Sequence, residues 1–153
     1  MKNEIDLSDW IFEQKPLYGI RLGDSLKEAL EKLKNQNYFL SGGTNKIGYY
    51  YLNNGYRIGF SDNKIDEIGI DFLQSKSNII LQKDGQKYIL NDKKVHEVLD
   101  LFNDLLIKWK PVVTNDSSSL MYLLEEFGIY LIFDVYEGTL NKLGKSILMD
   151  NNS

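Results

Sequence analysis

Cysteine is absent from the 153-residue chain, which excludes disulfides, thiolate catalysis and cysteine-ligated metal sites together. Histidine occurs once, as His96, and the only arginines are Arg21 and Arg57. Lysine, asparagine, isoleucine and tyrosine are abundant instead, a usage that points to an AT-rich bacterial genome. No apolar run approaches the ~18 residues of a membrane-spanning helix. The opening MKNEIDLSDW is acidic, without an apolar run of signal length. No membrane partner is expected, and the cytoplasm is the expected location. Positive charge is not in excess: the net charge is −4 and the pI is near 5.0. That balance disfavours nucleic acid, whose phosphates need a basic footprint. It suits a basic protein partner, and it also serves simply to keep a protein dissolved.

What is present is ordinary globular material, 42% hydrophobic and 26% charged, enough for one domain with a core spanning residues 1–153. Residues 1–17 read as an N-terminal arm in which Asp6 or Ser8 caps a short helix holding Trp10, Ile11 and Phe12, with Pro16 blocking its continuation. A short strand is expected over 18–22. Ser25-Leu26-Lys27-Glu28 has capping-box spacing, and Leu26, Ala29, Leu30 and Leu33 follow on one helical face. Tyr38–Leu40 and the aromatic run 49–52 read as strands, with 41–45 a loop and Asn53-Asn54-Gly55 a turn.

GYRIGFSDNKIDEIGIDF, residues 55–72, reads as a hairpin. After a linker at 73–77, Asp84-Gly85 marks a second hairpin. Asp92 is placed to cap a helix with Val95, Val98, Leu99, Phe102, Leu105 and Leu106 on one face, closed by Trp109 and Pro111. Val112 and Val113 suggest a strand. Residues 120–124 and 128–133 form a further hairpin, and a last strand carries Leu140, Leu143 and Ile147. The tail 150–153 is expected to fray.

The chain matches itself. At an offset of 69, Leu26, Ala29, Leu30 and Leu33 fall on Val95, Val98, Leu99 and Phe102. At 73, Tyr49, Gly55, Ile58 and Phe60 fall on Tyr122, Gly128, Leu131 and Phe133. The extra four residues are about one helical turn. The expected fold class is α+β: two tandem helix–β–β–β units, residues 18–73 and 78–149, forming one antiparallel sheet with helices on one face.

Alternation puts Tyr56, Ile58 and Phe60 on one face of their strand and Ile68, Ile70 and Phe72 on one face of the next. Both sets face the helices only if Ile58 lies opposite Ile68, which asks for a three-residue loop, Asp62-Asn63-Lys64. Arg57, Gly59, Ser61, Glu67, Gly69 and Asp71 then form an exposed outer face with bare backbone at the glycines. In the second unit Met121, Leu123, Tyr130 and Ile132 need a cover: the arm, a second subunit or a protein partner, the arm being the most economical.

Gly19-Ile20-Arg21-Leu22-Gly23-Asp24-Ser25-Leu26 with the later Tyr56–Ile68 run resembles the beta-lactamase-inhibitor-protein-like repeat. The duplicated form without a lipoprotein cysteine is similar to immunity proteins that neutralise toxins in bacterial competition. The resemblance implies a cytoplasmic protein that grips a partner with an open sheet face, and no contact residue carries over from it.

Candidate chemistry is thin. His96 with Asp92 and Asp100 at i−4 and i+4 reads as a solvated histidine beside surface carboxylates rather than a metal site. Acidic pairs at Glu125-Glu126, Asp62/Asp66/Glu67 and Asp134/Glu137 sit at turns and strand ends, where such residues are routine. Ser41-Gly42-Gly43-Thr44 lacks the lysine and helix of a phosphate loop. The expectation is therefore a non-enzymatic protein-binding module without cofactor or metal, most concretely an immunity protein that blocks a bacterial toxin. Its expected contact surface is Tyr49, Tyr51, Arg57, Glu67 and Asp71. The alternatives are a self-associating structural module, a homodimer through the second unit, and, less favoured, a small carboxylate-dependent enzyme.

Overall fold

In the computed structural model, residues 3–44 and 46–147 are described; the expectations for Asn45 and for the tail at 150–153 lie outside them. The chain runs β1 (Glu4–Asp6), α1 (Ser8–Phe12), α2 (Leu26–Lys32), β2 (Tyr38–Gly43), β3 (Ile47–Leu52), β4 (Tyr56–Ser61) and β5 (Lys64–Asp71). It continues with β6 (Asn78–Lys83), β7 (Gln86–Ile89), α3 (Val95–Asp104), β8 (Lys110–Val112), β9 (Ser119–Leu124), β10 (Ile129–Asp134) and β11 (Leu140–Ser146). The fold is α+β. Its main sheet has eight antiparallel strands in the order β2-β3-β4-β5-β11-β10-β9-β8, and β1-β6-β7 form a separate three-stranded sheet in which β1 and β6 run parallel. The hairpin around Asp84-Gly85 thus belongs to this small sheet and is not a strand pair of the main one.

Residues of α1, α2, α3 and the small sheet join one face of the main sheet, its inner face, in a continuous buried cluster. Trp10, Ala29, Phe102 and Ile79 meet Ile58, Ile70, Leu131 and Phe133 there. The Ser25 hydroxyl accepts the Glu28 N–H at 3.1 Å and starts α2, as its spacing predicts. Helix α3 starts differently. Asp92 has a left-handed φ of 60° and does not cap; Lys94 holds the cap position, its N–H donating to the Glu97 carboxylate at 3.1 Å. Val98, Leu99 and Phe102 are buried, but Leu106 lies past the helix end at φ 59° and is almost fully exposed. Residues 18–22 form no strand, only a turn with an isolated Leu17–Ile20 bridge. Strand β2 extends through Gly43 into the expected loop, and β11 ends before Ile147.

The register of β4 and β5 is as expected, Ile58 opposite Ile68, but by another route. The turn has two residues, Asp62 and Asn63, at φ 49° and 65°, with Ser61 paired to Lys64. Left-handed conformations at both positions suit Asp and Asn and match the strand twist. A bulge then shifts the ladder by one: Phe60 pairs with Ile65 and Gly59 with Glu67, leaving Asp66 as the extra residue. The shift returns Ile68 and Ile70 to the inner face. Gly59 is the residue that tolerates the bulge, since a Cβ there would sit 3.1 Å from both the Asp66 carboxylate and the Glu67 Cβ.

At the centre of the main sheet β5 pairs with β11, Gly69 directly opposite Gly144. A Cβ at Gly69 would collide with the Leu143 carbonyl oxygen, and one at Gly144 would lie 2.7 Å from the Ile68 carbonyl oxygen. The two backbones are therefore closer than side chains permit. Gly69→Ala is expected to destabilise the protein by about 1–3 kcal/mol through overpacking, measured by urea unfolding; an unchanged midpoint would show that this seam has room.

Candidate functional site

On the outer face of the main sheet a single cross-strand row runs through Tyr51 on β3, Arg57 on β4, Gly69 on β5, Gly144 on β11, Tyr130 on β10 and Leu123 on β9. The paired glycines leave a trough between Arg57 and Tyr130. Both long side chains reach across it, and the Arg57 Nη2 donates to the Tyr130 hydroxyl at 3.0 Å. The same nitrogen is ion-paired with the Glu67 carboxylate, to which the Tyr130 hydroxyl also donates. The Tyr130 hydroxyl packs so closely over the trough that a Cβ at Gly144 would lie 2.8 Å from it.

Tyr49 completes the cluster. Its ring faces the Arg57 guanidinium at 5.1 Å and covers Gly59, whose Cβ would meet the ring at 3.0 Å. Arg57 and Tyr130 are each only 4% exposed. The outer face is thus not the bare, solvated surface expected around Gly59 and Gly69: aromatic rings fill the space that the missing side chains leave.

Electrostatics follow from this packing. Burial, then the charge of Glu67, raises the Tyr130 hydroxyl well above the ordinary phenol value, more than Arg57 lowers it. Glu67 first, and then burial, raises Tyr49. Burial alone disfavours the Arg57 cation, but Tyr130 and Glu67 more than offset it and its net shift is upward. Burial and neighbouring Glu67 raise Asp66. The arrangement is one buried cation held by one carboxylate and ringed by protonated hydroxyls, with the buried Arg57 Nε–H left without a hydrogen-bond partner among the described residues.

Four of the five expected contact residues, Tyr49, Tyr51, Arg57 and Glu67, come together here. Asp71 does not join them. It is buried at the end of β5, where its carboxylate accepts the Leu73 N–H at 3.0 Å and holds the following turn. Tyr130 was not among those five, although the offset of 73 that matches Ile58 to Leu131 also sets Arg57 against Tyr130.

The arm does not cover Met121, Leu123 and Ile132. It packs on the helix side, where Lys145, opposite inner-face Ile68 on β5, reaches over the Trp10 ring at 5.1 Å. Those three apolar residues remain half-buried on the outer face beside half-buried Tyr49 and Tyr51. Elsewhere His96 lies exposed on α3, and among the described residues no three metal-binding side chains gather. Glu125 pairs with Lys110, and Asp134 accepts the Tyr136 N–H at 3.0 Å in a turn. No helix among the described residues is long and apolar enough to cross a membrane. Comparison with protein-family models, curated proteins and solved structures gives no significant match.

The raised tyrosines define a pH dependence. A phenol whose folded value exceeds its unfolded value of about 10 stabilises the fold below that pH, and the stabilisation is lost as pH rises above it. Of the ten tyrosines, buried Tyr56 and Tyr130 are expected to stay protonated until the protein unfolds in alkali, and Tyr49 is expected to ionise after the unshifted ones. Phenolate absorbance should therefore rise in two stages, the second coinciding with loss of the circular dichroism signal. A single early rise with structure intact would contradict the closed cluster.

Proposed function

We propose that the chain is a non-enzymatic, cytoplasmic protein-binding module, most concretely an immunity protein that neutralises a bacterial toxin by covering it. The observation that carries this reading is the outer sheet face. A buried Arg57–Glu67–Tyr130 cluster props up half-exposed Tyr49 and Tyr51 on one side, and Met121, Leu123 and Ile132 continue the face on the other. Rings already held in place lose little freedom on binding, and aromatic anchors beside apolar side chains are what strong interface centres consist of. The net charge of −4 favours a basic partner and speeds its approach. The resemblance to toxin-neutralising proteins supports the narrower reading.

We also infer that the main sheet consists of two tandem units, each a helix followed by four strands rather than three. The support is that α2-β2-β3-β4-β5 and α3-β8-β9-β10-β11 occupy mirrored places in the strand order. Ala29 and Val98, Leu33 and Phe102, Ile58 and Leu131, and Phe60 and Phe133 are buried alike. One correspondence needs correction. Tyr49 lies on the outer face and Tyr122 on the inner, so the counterpart of Tyr122, which pairs with Leu131, is Tyr50, which pairs with Ile58. The loop between those strands is one residue longer in the second unit.

The test uses the product of a toxin-like gene adjacent to the coding sequence. Calorimetry should show a complex, and Tyr51→Ala with Met121→Lys should weaken it by about tenfold or more while circular dichroism stays unchanged. Both positions are half-exposed; because Tyr51 also contacts Arg57, an unchanged urea midpoint of each single variant checks that the cluster stays in place. Unchanged affinity would remove the outer face as the contact surface.

A further inference from the structure

The main sheet ends in two unlike edges. At β8 the sequence is Lys110-Pro111-Val112: Pro111 has no N–H to offer, and Lys110 is paired with Glu125. Both features keep an edge from recruiting another strand. Strand β2 has neither. Its residues Tyr38, Phe39, Leu40 and Ser41 are uncharged and pair only with β3. Tyr38, Phe39 and Leu40 are 38%, 46% and 51% exposed. Their rings are nevertheless held, Phe39 stacked on Tyr51 at 5.8 Å and Tyr38 edge-on to Tyr50 at 5.6 Å.

We propose that β2 pairs antiparallel with β2 of a second copy of this chain, joining two sheets across a two-fold axis at Phe39. Residues directly opposite in a ladder project to the same face. A strand pairing with itself must therefore be centred on a residue that meets its own mate. Centring on Phe39 places the two Phe39 side chains together on the outer face. On the inner face it sets Tyr38 opposite the second copy's Leu40, twice over. The strip is residues 37–41, because Gly42 and Gly43 turn to left-handed φ of 67° and 90° and the ladder shifts there. Nothing in it is charged, so no like charges meet when it pairs with itself. A groove of about 450 Å³ borders the strip at Tyr38, lined by Leu26 and Leu30 and rimmed by Lys27, Glu31 and Lys34. Pairing at the edge brings the two Phe39 side chains together beside Tyr51 and leaves Tyr49 and the strip of Met121, Leu123 and Ile132 uncovered, so dimer and partner binding are read by separate variants.

Sedimentation velocity on the full chain over a concentration series provides the test. The unaltered chain is expected to dimerise, while Phe39→Lys and Phe39→Glu are each expected to be monomeric, because like charges then face each other. An equimolar mixture of the two should regain the dimer. Since the chain has no cysteine, Phe39→Cys gives a second, independent reading. Under mild oxidant it should form a covalent dimer at low concentration, whereas Leu120→Cys, exposed on β9, should not. An unaltered chain that stays monomeric, a mixture that does not recombine, or a dimer that survives Phe39→Lys would each overturn the proposal. The last would move the contact to the strip of Met121, Leu123 and Ile132.

Discussion

A guanidinium with 4% exposure needs a reason to be where it is, and in this molecule the reason is Arg57's position beside the central seam. Taking a cation out of water costs several kcal/mol, offset only by close, well-directed partners. Glu67 supplies the counter-charge and Tyr130 the bridging hydroxyl, one from each side of the β5–β11 pairing. Among the described residues no other contact on the outer face ties together residues so distant in sequence through a buried charge. Replacing such a pair with apolar groups can leave stability unchanged, so its effect is best understood as specificity: it favours one pairing of the central strands over slipped ones.

The glycines make that contact possible. Gly69 and Gly144 bring two backbones within a distance that side chains forbid, and the resulting trough admits Tyr130 and Arg57. Gly59 admits both the Asp66 bulge and the Tyr49 ring. The bulge in turn puts Glu67 on the outer face, within reach of Arg57, while keeping Ile68 inside. Register, bulge and ion pair meet in one arrangement on β4 and β5.

Much of the fold is legible in the chain because it is local. Alternation identifies the buried set Tyr56, Ile58 and Phe60, turn chemistry marks Asn53-Asn54-Gly55 and Asp84-Gly85, and the Ser25–Glu28 spacing starts α2. What local pattern cannot show is which strands meet across long separations. The pairing of β5 with β11, and of three-residue β1 with β6, follows from packing of the whole core. The same gap explains the candidate site. Tyr49, Tyr51, Arg57 and Glu67 are recognisable as one face of neighbouring strands, yet their burial depends on Tyr130, which arrives from the second half of the chain. Asp71 shares that strand face by parity, but its carboxylate serves the adjoining turn.

A platform of this kind suits the binding role proposed for it, since a fixed charge cluster beneath tyrosine rings presents the same surface before and after a partner arrives. Arg57 and Tyr130 act as a unit across the seam. A double-mutant cycle with Arg57→Met and Tyr130→Phe, read by urea unfolding, measures this most directly. A coupling energy of about 1 kcal/mol or more between the two positions is expected. Additive losses, with coupling below about 0.3 kcal/mol, would contradict it.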